Sequence, residues 1–205
     1  YLIENYDAVD LNGDGQISYA MFMGDASNVE AIYRTQYSVE DANATLTENG
    51  YPELVYFDSS NESKYQLDMT GAWSAQAAME YMQTNLSQYS TANNNMIELI
   101  ICNNDNMAEG CITALQAAGY NNGEGTTTIP VFGVDATDSA QQLIAAGTMT
   151  GTIKQDAEGM AKCIAQLAQN VANGEDLLAN TDSYTKDTAN NLNNKIFIPY
   201  QEYTG

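Results

Sequence analysis

The chain has 205 residues, with 27 acidic against 6 basic side chains, no histidine and a formal net charge of −21. That balance excludes nucleic acid and anionic membrane surfaces as partners. The absence of histidine removes Ser-His-Asp and Cys-His chemistry, along with the usual zinc and haem ligands.

Residues 1–6 read as the tail of a helix, so the chain is expected to be an excised piece of a longer one. Next comes Asp10-Leu11-Asn12-Gly13-Asp14-Gly15-Gln16-Ile17-Ser18. Oxygen side chains recur two residues apart at Asp10, Asn12 and Asp14, Gly15 permits a sharp turn, and the Gln16 carbonyl follows in register. This is the first half of a calcium loop, with calcium ion as the implied cofactor. An acidic glycine-rich Asx turn would explain the bend but not four positions in register. An EF-hand would place a bidentate glutamate at the twelfth position, inside a helix. Here that position is Met21, within an apolar, strand-like run at 17–23, and no second copy of the loop follows. The missing carboxylate must therefore come from a distant segment.

Downstream, 30–47 is amphipathic, and Asn49-Gly50 stops it. Short strands are expected at 54–57 and 65–67, a helix at 73–88, and a buried strand at 97–102. Asp105 is expected to cap a helix to 118, followed by a strand at 128–134 and a short helix at 139–146. A strand at 149–154, a helix at 156–172, a polar stretch at 175–191 and a last strand at 195–199 complete the chain. Cys102, Cys111 and Cys163 lack metal-type spacing and read as buried free thiols. Alternation of strand and helix predicts an α/β fold: a three-layer αβα parallel sheet.

In such sheets ligands sit beyond the carboxyl ends of the strands. Three strand ends there deliver Asn103-Asn104-Asp105, Asp135 and Gln155-Asp156. Each alone is more often a cap or turn residue; together they make a ring of carboxylates and amides. Trp73, the single tryptophan, is either core or the aromatic face that a pyranose stacks on. Arg34 is either a surface ion-pair partner or a bidentate donor to sugar hydroxyls.

The loop, the run Ile97-Glu98-Leu99-Ile100-Ile101-Cys102-Asn103-Asn104-Asp105 and the run Val131-Phe132-Gly133-Val134-Asp135-Ala136 resemble the bacterial galactose/glucose-binding proteins. Gly151-Thr152-Ile153-Lys154-Gln155-Asp156-Ala157 and the ending Asn194-Lys195-Ile196-Phe197-Ile198-Pro199-Tyr200 fit the same pattern. That family, periplasmic-type solute-binding components of sugar ABC transporters, has the type I periplasmic-binding-protein fold. The resemblance implies a calcium site of Asp10, Asn12, Asp14, Gln16, Ser18 and Glu98, with Ser18 standing for a longer amide and reaching the ion through water. It implies sugar contacts from Asn28, Glu30, Arg34, Trp73, Asn104, Asp135 and Gln155. Asn28 replaces a histidine, Glu30 an aspartate and Gln155 an asparagine, the last two each adding a methylene.

It also implies the lobe organisation. Residues 1–155 would be the carboxyl-terminal lobe with the calcium loop and half of the sugar site. Residues 156–192 would be the hinge crossing and a helix of the absent amino-terminal lobe, and 193–205 the returning strand. The helix at 156–172 would then lack its partner and is expected to loosen, repack or pair with another copy of the chain. The implied function is non-enzymatic: extracytoplasmic delivery of a hexose-type sugar to an ABC transporter permease, and to a chemoreceptor. The location would be periplasmic, or lipid-anchored outside the cell membrane. The alternatives are a sugar-responsive regulator of the same fold and a two-carboxylate hydrolase using Glu30 and Asp135.

Overall fold

The computed structural model describes residues 1–187 and 195–205. The chain divides into two compact units, Tyr1–Thr152 with Tyr203–Gly205, and Ile153–Glu202.

In the first unit, helix α1 (Leu2–Val9) leads through the loop into β1 (Ser18–Met23), and α2 (Val29–Glu48) follows. The short strands β2 (Val55–Tyr56) and β3 (Gln66–Leu67) precede α3 (Ala75–Leu86) and a 3-10 turn at Thr91–Asn93. Then come β4 (Leu99–Cys102), α4 (Asp105–Ala117), β5 (Val131–Val134), α5 (Asp138–Ala145) and the start of β6 (Gly151–Lys154). β1 pairs in parallel with β2, β3 and β4, and β4 pairs in parallel with β5. The order is β2-β1-β4-β5-β6-β9, where β9 (Gln201–Tyr203) is a strand not anticipated from the sequence.

The sheet is buried on both faces because β4, and β1 after Ser18, are apolar throughout. In β1, Ala20 and Phe22 join the core under α3, α4 and α5, while Tyr19 and Met21 join a second core with Tyr6 and Val9 of α1 and Leu46 of α2. β4 splits the same way, Ile100 and Cys102 to one side and Leu99 to the other. This period-2 division makes three layers. Gly110 lets α4 approach α3 closely, since a Cβ there would lie 2.1 Å from the Ala75 carbonyl oxygen.

The second unit contains α6 (Ala157–Asn173), capped by Asp156 and ended by Gly174 at φ 71°. An antiparallel pair follows, β7 (Thr185–Asp187) with β8 (Lys195–Phe197), where the sequence predicted only a polar stretch and one strand. Buried Asn170 donates from Nδ2 to the carbonyls of Leu177 and Ala179 and so fastens the segment after α6. On α6 Cys163 is buried, but Met160, Ile164 and Val171 are exposed, the last two at 60% and 63%. The expected boundary at 192/193 and Asn194 lie outside the described residues.

Candidate functional site

The two ends of β4 carry the two sets of candidate residues. At its amino end Asp10 closes α1, and its carboxylate accepts the N–H groups of Gly13 (2.8 Å) and Gly15 (2.9 Å). Asn12 Oδ1 accepts from Asp14 N–H and Asp14 Oδ1 from Gln16 N–H, at 2.8 and 2.9 Å. Gly15 takes φ 84°, as the turn requires. The Tyr6 hydroxyl donates to the Gly15 carbonyl at 3.0 Å.

Glu98 reaches this loop across 80 residues and more of sequence, and it is fully buried. Its Oε1 accepts from Leu11 N–H (2.8 Å) and Asn12 N–H (3.3 Å), and its Oε2 from Ser18 N–H (2.8 Å). The Ser18 hydroxyl is 3.0 Å from both Glu98 Oε2 and the Met96 carbonyl, either of which can take its proton. Among the described residues no ion pair involves Glu98. A buried carboxylate is thus compensated by three N–H groups and the Ser18 hydroxyl, without a cation among the described residues. Burial pushes the Tyr6 phenol up from its ordinary value, and the charges of Asp10, Asp14 and Glu98 push it further. Among the described residues no three carboxylate or thiol side chains gather into a cluster able to hold a metal by themselves. A cation here would depend on the neutral oxygens of Asn12 and the Gln16 carbonyl as well.

At the carboxyl ends of the strands, β1 runs into Gly24 and a turn in which Asp25 accepts from Ser27, and Asn28 then caps α2 by accepting from the N–H groups of Glu30 and Ala31. Asn28 is thus a helix cap. Arg34 lies one turn further on, its guanidinium 5.6 Å over the Trp73 ring, donating to the Asn103 carbonyl at 2.8 Å and facing Glu30 at 3.4 Å. The Trp73 ring lies against Gly24, where a Cβ would fall 2.2 Å from it. Trp73 precedes α3 instead of starting it, at φ 55°, and its carbonyl accepts from Asn104 Nδ2 at 3.3 Å.

Asn104, not Asp105, caps α4, accepting from Met107 N–H. Asp105 is instead buried and accepts from Thr137 N–H (2.8 Å) and Thr152 Oγ1 (2.6 Å). Burial pushes its carboxyl up, and these bonds oppose the shift without cancelling it. They hold the turn after β5, where exposed Asp135 and buried Ala136 take φ of 124° and 54°. Such values are rare outside glycine and mark stored strain.

The structure therefore brings Glu30, Arg34, Trp73 and Asn104 together through direct contacts, and sets Asp135 at the carboxyl end of a strand in the same sheet. Gln155 belongs to the second compact unit. Sequence reasoning placed Asn103 in the ring of polar strand-end groups but missed its role: its side chain is buried, accepts from Gly24 N–H and donates to Thr35 Oγ1, so that it ties β1, α2 and β4 together. Its one signal was its place in a polar run straight after an apolar strand.

Residues 7–176 match the periplasmic binding protein domain family model. The chain belongs to the periplasmic binding protein family. It is 35% identical to the D-galactose/methyl-galactoside binding periplasmic protein MglB of Haemophilus influenzae, over 94% of this chain and 49% of that protein. It is 29% identical to a putative rhizopine-binding protein of Rhizobium meliloti, over 93% and 50% respectively. Both relatives are binding proteins rather than enzymes, and the chain spans about half the length of each. Among solved structures, an ABC transporter solute binding protein of Clostridium phytofermentans with bound β-D-glucose aligns with a TM-score of 0.62 and 20% identity. That alignment covers 91% of this chain and 58% of the other, and supports the type I periplasmic-binding fold. In this member of the family no helix among the described residues is long and apolar enough to cross a membrane.

Proposed function

We propose that this chain supplies one side of the sugar site of an extracytoplasmic binding protein that delivers a hexose-type sugar to an ABC transporter permease and presents it to a chemoreceptor. The observation that carries the reading is the Arg34 guanidinium over the Trp73 ring, anchored on Asn103 and bordered by Glu30 and Asn104. An indole face offers stacking to the C–H face of a pyranose, and the guanidinium, amide and carboxylates around it match its hydroxyls. The galactose-binding relative and the glucose-holding structural neighbour support the same ligand class. Asp135 joins the site from β5. Glu30 is longer by a methylene than the side chain it replaces, and so is Gln155 of the second unit.

The calcium ion belongs to the same proposal. Asp10, Asn12, Asp14, the Gln16 carbonyl and Glu98 would hold it, with Ser18 orienting Glu98 or reaching the ion through water. The loop's Asx turns and a buried carboxylate with no ion pair among the described residues suit such an ion, which would fasten α1 to β4. Half-coverage of the relatives supports the lobe organisation: residues 1–155 form one lobe, and α6 serves a second one. The exposed Met160, Ile164 and Val171 would otherwise pair with another copy of the chain.

The test is a titration of Trp73 emission with galactose, glucose, xylose and myo-inositol. A site with one wall binds weakly, so the expected result is a low-affinity saturable change that Arg34→Met removes. No Arg34-dependent response to any of them would refute the sugar reading. A dissociation constant of about 1 µM, or about −8.2 kcal/mol, would refute the half-site organisation.

A further inference from the structure

Asp68 lies between β3 and α3, is 2% exposed, and had no role in the sequence reading. Its backbone N–H donates to the Met23 carbonyl at 2.9 Å, which fixes it beside the end of β1. Its Oδ1 accepts from Thr70 N–H (2.9 Å) and Thr70 Oγ1 (2.6 Å), and its Oδ2 accepts from Ser74 N–H at 2.9 Å. The loop between them contains Gly71 at φ 67° and Trp73 at φ 55°. A left-handed conformation at a bulky aromatic residue is an outlier that persists only where its surroundings over-determine it.

The over-determination can be traced atom by atom. The peptide unit joining Trp73 to Ser74 is held at its carbonyl by Asn104 Nδ2 and at its N–H by Asp68 Oδ2. With that plane fixed, the indole is directed onto Gly24, the one residue type whose missing Cβ leaves it room, and under Arg34. We infer that Asp68 is a positioning residue for the ligand site: its buried carboxylate sets the backbone that seats Trp73, without itself reaching the ligand. This rests on the sugar-site reading only for the word ligand; the seating of Trp73 is a property of the free chain.

Burial pushes the Asp68 carboxyl up, but the hydrogen bonds from Thr70 and Ser74 outweigh it and bring it down to about 2. The clamp is therefore charged at every pH at which the protein would work.

Trp73 is the only tryptophan, so its emission and its quenching by acrylamide report the seating without any sugar. Asp68→Asn keeps the shape but turns an amide donor toward one of the two N–H groups. Loss of a hydrogen bond to a charged group should move the ratio of seated to released Trp73 by roughly tenfold or more, seen as a red shift and stronger quenching with an unchanged far-UV spectrum. Asp58 builds the same turn with Ser60, half-buried and with no tryptophan after it, so Asp58→Asn should leave emission as in the wild type. Thr70→Val, which removes only the hydroxyl bond, should give a smaller shift in the same direction and decides the matter if Asp68→Asn does not fold. Wild-type emission and quenching in folded Asp68→Asn, or in Thr70→Val where that variant must decide, would overturn the inference. A shifted Trp73 with no sugar response in the wild type would overturn the sugar reading and leave the clamp standing.

Discussion

The two ends of β4 solve opposite problems with similar groups. At the amino end Glu98 is wholly buried, and its oxygens are committed to Leu11, Asn12 and Ser18. At the carboxyl end Arg34 and Trp73 are only half-buried, and Glu30 and Asp135 are exposed. The carboxylates there that are buried, Asp68 and Asp105, lie behind the face and clamp left-handed residues in front of them. One end uses its polar atoms to close the chain; the other uses buried aspartates to keep a few exposed groups in place. A site of this second kind carries local strain, which its supporting bonds must offset.

Gly24→Ala should break the carboxyl end most strongly. The new methyl would enter the indole ring, and overpacking of this kind costs about 1–3 kcal/mol, or roughly 2–12 °C of melting midpoint for a chain of this size. Trp73 should be expelled, its emission should shift, and the gain in midpoint expected from the proposed calcium site should survive. Loss of that gain would show that the two ends are not independent.

Acid should separate the two buried aspartates. Asp68 titrates below its ordinary value, so its contribution is present above that value and is lost as pH falls through about 2. Asp105 titrates above its ordinary value, so its charge costs stability at neutral pH, and protonation relieves the cost as pH falls through the raised value. Melting curves taken from about pH 7 to pH 2 should show the deficit of Asp68→Asn shrinking toward the acid end. Over the same range the wild type should gain on Asp105→Asn. Parallel pH profiles for the two variants would contradict the assignment.

Arg34→Met should have the smallest effect on stability. It removes a cation–π contact worth about 0.5–1 kcal/mol at such a site and one bond to a carbonyl, so the midpoint should move by only a few degrees while any sugar response disappears.

Much of this frame is legible in the sequence because it follows from local rules. The apolar runs of β1 and β4, the glycine stops at Gly119, Gly147 and Gly174, and the turns of the loop at 10–18 all depend on neighbours in the chain. What depends on distant partners is not legible. The Asn104–Asp105 pair reads as a cap in either order; Asn104 takes the cap because Asp105 is claimed by Thr137 and Thr152. Trp73 reads as a helix start, and only Asp68, Asn104 and Gly24 together place it in a left-handed turn ahead of α3. β7 and β9 are short and polar, so their strand character comes from pairing and leaves no pattern in the residues.

The proposed calcium site, made of one loop and one distant glutamate, would fasten the first unit together. The most direct measurement is the melting midpoint with calcium and with chelator, for the wild type and for Glu98→Gln. Calcium at about a hundred times its dissociation constant should stabilise the wild type by about 2.7 kcal/mol, or roughly 5–11 °C, and most of that gain should vanish in Glu98→Gln. No gain in the wild type, or an equal gain in the variant, would contradict the account.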